Sequence, residues 1–89
     1  MKIYLLDGKD MTSRDEAYQV IASAMEFPEW FGANLDALAD CLSELPKETT
    51  IVFVNTAILE ENLGDYAGKI LDVFRELSEE CGFGWIEKR

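Results

Sequence analysis

The sequence predicts an α/β domain in which a three-stranded parallel sheet packs against about four helices. Three observations lead there. Strand-like runs stand near the start, middle and end of the chain, at Ile3–Leu6, Thr49–Val54 and Phe83–Glu87. Segments of helical periodicity separate them, so successive strands are joined by crossovers and lie parallel. The 89 residues, 48% apolar with two Trp, three Tyr and five Phe, suffice for one hydrophobic core and not for two. No repeat, linker or low-complexity stretch interrupts them, so residues 1–89 form a single domain.

The elements follow in order. Ile3–Leu6 is a continuous apolar run closed by Asp7-Gly8, the pattern of a buried first strand. Ser13 and Glu16 have capping-box spacing ahead of Ala17, Val20, Ile21 and Ala24, which share a face, so a first helix spans about Ser13 to Met25. Phe27-Pro28 ends it, because proline lacks a donor and biases its predecessor away from helical geometry. Residues 27–33 are then a loop, and Asn34 caps a second helix from about Leu35 to Glu44, stopped by Pro46. Thr49–Val54 is β-branched and aromatic, and its unbroken apolar character predicts a central strand buried on both faces. Thr56–Asn62 forms a short helix ended by Gly64. Asp65 caps a longer one to about Cys81, with Ile70, Val73, Phe74, Leu77 and Cys81 as its apolar stripe. Gly82 stops that helix and Phe83–Glu87 is the last strand.

Composition restricts the function. Eighteen acidic against eight basic side chains give a net charge of −10, a field that repels nucleic acid and anionic membrane and attracts basic partners. No histidine is present, which removes the commonest general base and metal ligand. Cys41 and Cys81 are too few and too widely spaced for a zinc site; a disulfide is open to them, but two half-buried thiols in a reducing cytosol is the preferred reading. No cofactor motif occurs. The four apolar residues before Asp7 are too few for a secretory signal, and no run approaches a membrane span, so the expected location is the cytoplasm.

The acid is concentrated. From Asp15 to Pro46 there is no Lys or Arg, while Asp15, Glu16, Glu26, Glu29, Asp36, Asp40 and Glu44 all fall there. Surfaces normally mix signs, and a single-sign region is what electrostatic steering requires. At about 100° per residue, Leu35, Leu38, Ala39, Cys41 and Leu42 gather on one side of the second helix and Asp36, Asp40, Ser43 and Glu44 on the other. Asp36 and Asp40 stand four apart with no base at i+3 or i+4, a spacing that costs a helix roughly 0.2–0.5 kcal/mol. The later helix repeats the spacing with Glu76 and Glu80. Arg75 is there placed to pair with Asp72 and Glu79. Trp30 and Phe31 sit side by side in the Pro/Gly-bounded loop, one suited to the interior and the other to an interface.

The run from Phe27 to Leu42, Phe-Pro-Glu-Trp-Phe-Gly-Ala-Asn-Leu-Asp-Ala-Leu-Ala-Asp-Cys-Leu, resembles the signature of the barstar family. That signature is an apolar residue, Pro, Glu, two aromatics, Gly, any residue, Asn-Leu-Asp-Ala-Leu, one intervening residue, and then Asp-Cys-Leu. Val73-Phe74-Arg75-Glu76, with Glu80 after it, resembles the end of the family's last helix. The resemblance implies a three-stranded parallel sheet against helices. It also implies inhibition, inside the producing cell, of an extracellular guanyl-preferring ribonuclease in a 1:1 complex. Asp40 would then enter the enzyme's phosphate site, Asp36 would meet its basic rim, and Glu80 and Glu76 would reach it from the last helix. Trp30 would stack on the active-site edge, while Phe31, Gly32 and Asn34 shape the contact loop. The family's aromatic pair is often Tyr, and its prototype carries Trp where this chain has Ala39.

Two other readings are open at this level. One is an acidic interaction module that keeps the fold and binds a different basic protein. The other is an enzyme using paired carboxylates, as glycosidases do. The second is disfavoured, because Asp36 and Asp40 face solvent on the wheel and no histidine, metal motif or phosphate loop accompanies them.

Overall fold

The computed structural model describes Met1–Arg89. Strand β1 (Lys2–Asp7) is followed by a 3₁₀ turn (Gly8–Asp10), helices α1 (Arg14–Met25) and α2 (Leu35–Ser43), strand β2 (Thr49–Val54), helices α3 (Thr56–Leu63) and α4 (Asp65–Cys81), and strand β3 (Gly84–Glu87). The three strands form one sheet in the order β1-β2-β3, parallel throughout. Tyr4, Ile51 and Trp85 lie in register across it, and Leu5, Val52 and Ile86 form the next row. The expected α/β class and element order therefore hold, with the 3₁₀ turn as the one addition.

The burial of the strands departs from expectation. Leu6, Ile51 and Phe53 are fully buried, yet Ile3 and Leu5 are each 63% exposed and Ile86 47%. In β2, buried Thr49, Ile51 and Phe53 alternate with half-buried residues. Only one face of the sheet is thus packed, and neither β1 nor β2 is enclosed on both sides. The shortest dimension of the molecule, 18 Å, explains this. A helix with its side chains is about 10 Å across, so only one helical layer fits on the sheet.

Helix α1 is capped as its sequence predicts. Ser13 Oγ accepts from the Glu16 amide at 3.1 Å. The Glu16 carboxylate does not return to residue 13; it accepts from Thr12 Oγ1 at 2.8 Å. The buried face of α1 is Ala17, Tyr18, Ile21 and Met25, rotated from the expected stripe so that Ala24 lies in solvent. The cap of α4 also differs. Gly64, at φ 60°, ends α3 and begins α4, leaving no residue between the helices to cap the second with a side chain. Asp65 becomes its first helical residue, where its charge still favours the helix N-terminus.

Phe53, Phe74 and Trp85 form an aromatic cluster where α4 meets the sheet: Phe74 stacks on Trp85 at 5.1 Å between centroids and meets Phe53 edge-on at 5.7 Å. Beside it, Arg75 holds Glu87 with two hydrogen bonds, of 2.8 and 2.6 Å, and Trp85 Nε1 donates to the same carboxylate at 2.8 Å. The Arg75 bonds, with the Trp85 donor in support, lower the Glu87 carboxyl from 4.5 to about 2. A depressed carboxylate stabilises the fold above its unfolded pKa, and that contribution fades as pH falls through the folded value. We expect Glu87→Gln to cost about 1 kcal/mol at neutral pH, the scale for a solvent-accessible pair. In urea melts the gap should narrow between pH 4.5 and about 2. A gap independent of pH would show that the contribution is not ionic.

Candidate functional site

The loop before α2 is fixed from both ends. The Phe31 ring packs on Phe27 at 5.1 Å and on Tyr18 at 6.1 Å. The Tyr18 hydroxyl meets that of Tyr66, over whose ring the Arg14 guanidinium lies at 4.0 Å. Burial and that hydroxyl contact push the Tyr18 phenol far above its ordinary range, so it stays a neutral hydrogen-bonding group. At the other end Asn34 Oδ1 accepts from the Ala37 amide at 2.8 Å, capping α2, while its Nδ2 donates to the Gly32 carbonyl at 3.2 Å. Ala33 is held between them at φ 51°, in the left-handed region that side chains other than glycine seldom adopt.

This anchoring separates the two aromatic residues. Phe31 is half-buried against the core, whereas Trp30 is 80% exposed. Gly32 has a packing reason: a Cβ there would stand 3.3 Å from Ala37 Cβ and 3.4 Å from Asn34 Nδ2. The close approach it permits is to its own helix.

Trp30, Phe31 and Gly32 form one wall of a groove of about 490 Å³; Ala37, Asp40, Cys41, Ser43 and Glu44 of α2 form the other. Leu38 and Leu42 bury the opposite side of α2 in the core. Asp40 is exposed, and no ion pair engages it. The Cys41 thiol is raised above its ordinary pKa by partial burial first, then by the negative charges of Glu44 and Asp40. It is a poor thiolate at neutral pH, and both cysteines are free and half-buried.

Of the residues singled out by sequence, Trp30, Phe31, Gly32 and Asp40 thus come together. Asn34 shapes the loop through its cap. Asp36 is exposed in the first turn of α2, outside the groove lining. Glu76 and Glu80 are exposed on α4, which packs against α2, and neither lines the groove. Arg75 pairs with Asp72 and Glu87 rather than with the expected Glu79, so Glu76, Glu79 and Glu80 all lack a basic partner. The bidentate geometry of Glu87 wins over a helical neighbour reached across solvent. Ser43 and Glu44 are lining residues that the motif did not mark; their place on the acidic side of the wheel was the available sign.

Asp40 takes part in no ion pair of the folded chain. Asp40 sits beyond the reach of the helix N-terminus and four residues from Asp36. We expect Asp40→Asn to leave stability unchanged or raise it by up to about 0.5 kcal/mol in low salt, with the gain shrinking as salt is added. Urea midpoints at two ionic strengths test this, and a clear loss of stability would reveal a structural partner.

The sequence has relatives. A Barstar family profile, described as Barstar (barnase inhibitor), matches residues 1–87. The protein named "Putative ribonuclease inhibitor YrdF" from Bacillus subtilis (strain 168) is 35% identical over 83 residues, covering 90% of this chain and 89% of that one. With the family profile running almost end to end over a three-stranded parallel sheet and its four helices, this chain belongs to the barstar family.

Proposed function

We propose that this protein inhibits an extracellular guanyl-preferring ribonuclease from within the cell that makes it, by covering the enzyme's basic active site in a 1:1 complex. The observation that carries this reading is the groove between α2 and its preceding loop, lined by exposed, unpaired Asp40 and exposed Trp30. A ribonuclease site is built to hold polyanion, so fixed carboxylates can occupy it in place of RNA phosphates. Opposite fields speed the encounter, and a desolvated charge pair slows release (barnase and barstar are the usual illustration). Asp40 supplies the central charge and Trp30 the aromatic anchor, with Asp36, Glu76 and Glu80 widening the negative field at the rim. Phe31, Gly32 and Asn34 hold the loop in its binding shape.

Titration of purified protein against a panel of secreted basic ribonucleases tests the reading. We expect RNA cleavage by a guanyl-preferring member to fall to zero at one equivalent, less sharply as salt rises. Absence of inhibition across the panel, with a basic protein of another kind captured through the same face, would replace the inhibitor by an acidic interaction module.

A further inference from the structure

We propose that two copies of this chain pair through the open face of their sheets, β1 of each lying over β3 of the other, as a weak dimer that leaves both grooves free.

Side chains alternate across a strand, so the register decides which of them point away from the helices. They form three rows: Ile3, Thr50 and Gly84; Leu5, Val52 and Ile86; and Asp7, Val54 and, one residue past the last pair, Lys88. The middle row is wholly apolar, and its outer members, Leu5 and Ile86, are both exposed, as is Ile3 beside them. Contiguous exposed apolar side chains rimmed by polar ones mark an interaction surface.

The rows fit a second copy. A two-fold axis running along β2 sets each row against its own reverse. Leu5 of one copy then meets Ile86 of the other, and Val52 meets its counterpart. Ile3 meets the low end of its row, where Gly84 has no side chain and Thr50 leans across it: a Cβ on Gly84 would stand 2.8 Å from Thr50 Oγ1. The charges match as well. Beside Leu5 lies a depression of about 620 Å³ whose lining includes Asp7, Asp10 and Val20. Asp7 meets Lys9 at 3.7 Å, whereas Asp10 takes part in no ion pair, and neither does Lys88 at the opposite edge of the sheet. The same axis brings Lys88 of each copy to the acids of the other. An axis across the strands instead sets Asp7 over Ile3, burying a carboxylate against an apolar side chain.

No member of the three rows lines the groove beside α2, so pairing leaves that site open. Area sets the strength. Three strands of up to six residues, about 4.8 Å apart and rising about 3.3 Å per residue, give a flat footprint of roughly 300 Å², against about 800 Å² per partner in a standard interface. Two chains of net charge −10 also repel each other at long range. The dimer is therefore weak and strengthens with salt, the opposite of a complex with a basic enzyme.

Sedimentation equilibrium of the full-length protein, up to about 1 mM in about 50 mM and about 500 mM NaCl, tests the pairing. We expect a dimer dissociation constant of about 100 µM at the higher salt and severalfold weaker association at the lower. Leu5→Lys and Ile86→Lys should each weaken association roughly tenfold, although both reduce the net repulsion, because each buries a charge in the middle row. Lys88→Glu should weaken it about threefold, and adding Asp10→Lys should restore it. Adding Glu79→Lys on α4 instead, which gives the same net charge, should not. A monomer at every concentration in both salts, or undiminished association of the Leu5 and Ile86 variants, overturns the proposal. Rescue by Glu79→Lys as complete as by Asp10→Lys overturns the placing of β1 over β3. Leu5→Lys should inhibit a ribonuclease as the unsubstituted chain does, so the dimer and the inhibitor reading stand or fall separately.

Discussion

Replacing Asp40 with alanine should weaken inhibition of the target ribonuclease by about 2–5 kcal/mol, roughly thirtyfold to several thousandfold in the inhibition constant. The size follows from position. Asp40 lies in the middle of the acidic face of α2, in the same groove as Trp30, so in the proposed complex it would be cut off from water and its attraction to the enzyme's cations would be strong. Truncation would then remove that attraction and strand the enzyme's cations, buried and unpaired. Most of the change should fall on the dissociation rate, because the surrounding acids still steer the encounter. Glu61→Ala is the matched control. It removes the same formal charge from an exposed position on α3, outside the groove lining. Its effect should be within about twofold and vanish at high salt. Equal, small losses from both variants would mean that only net charge matters, and that the groove is no specific site.

The parts of the molecule legible in the sequence are those decided locally. Ser13 and Asn34 cap their helices because each offers an acceptor at the right offset from a free amide. Thr49–Val54 is a strand because its side chains suit a pleated surface. What could not be read depends on partners distant in the chain. Apolar residues at Ile3 and Leu5 do not say whether one face of a strand is covered or two; the thickness of the whole fold decides that. Arg75 has candidate acids on its own helix, but its strongest partner, Glu87, arrives only when β3 is laid beside α4. Adjacent aromatics at 30 and 31 announce one buried ring and one exposed ring; which is which depends on Tyr18 and Phe27 of α1 and the following loop waiting for Phe31. The same holds for Glu44. Its side of α2 was plain, yet its place in a groove required the loop to fold back across the helix.

Phe74→Ala should cost about 3–5 kcal/mol of folding stability, the range for truncating a buried aromatic ring. Phe74 is fully buried, and its removal takes away one of three mutually packed rings, leaving Phe53 and Trp85 in contact at 6.0 Å beside a cavity between α4 and the sheet. Native domains are stable by only about 5–15 kcal/mol, and one of 89 residues has little to spare, so a measurable unfolded fraction is expected at ambient temperature. The urea midpoint should fall with little change in slope. Its inhibitory behaviour should nevertheless differ in kind from that of Asp40→Ala. Phe74 does not line the groove, so each folded molecule should retain it. A ribonuclease that binds only the folded state pulls the equilibrium toward it, and raises apparent stability by RT ln(1 + [L]/Kd). Phe74→Ala should therefore approach full stoichiometric inhibition as enzyme is added and recover melting temperature in the complex. Asp40→Ala, fully folded, should gain little melting temperature from the same enzyme concentration. If Phe74→Ala stayed inactive with its fold restored by the enzyme, the packing beneath α4 would have to shape the binding face itself. Inhibition would then rest on more than the loop and the acidic side of α2.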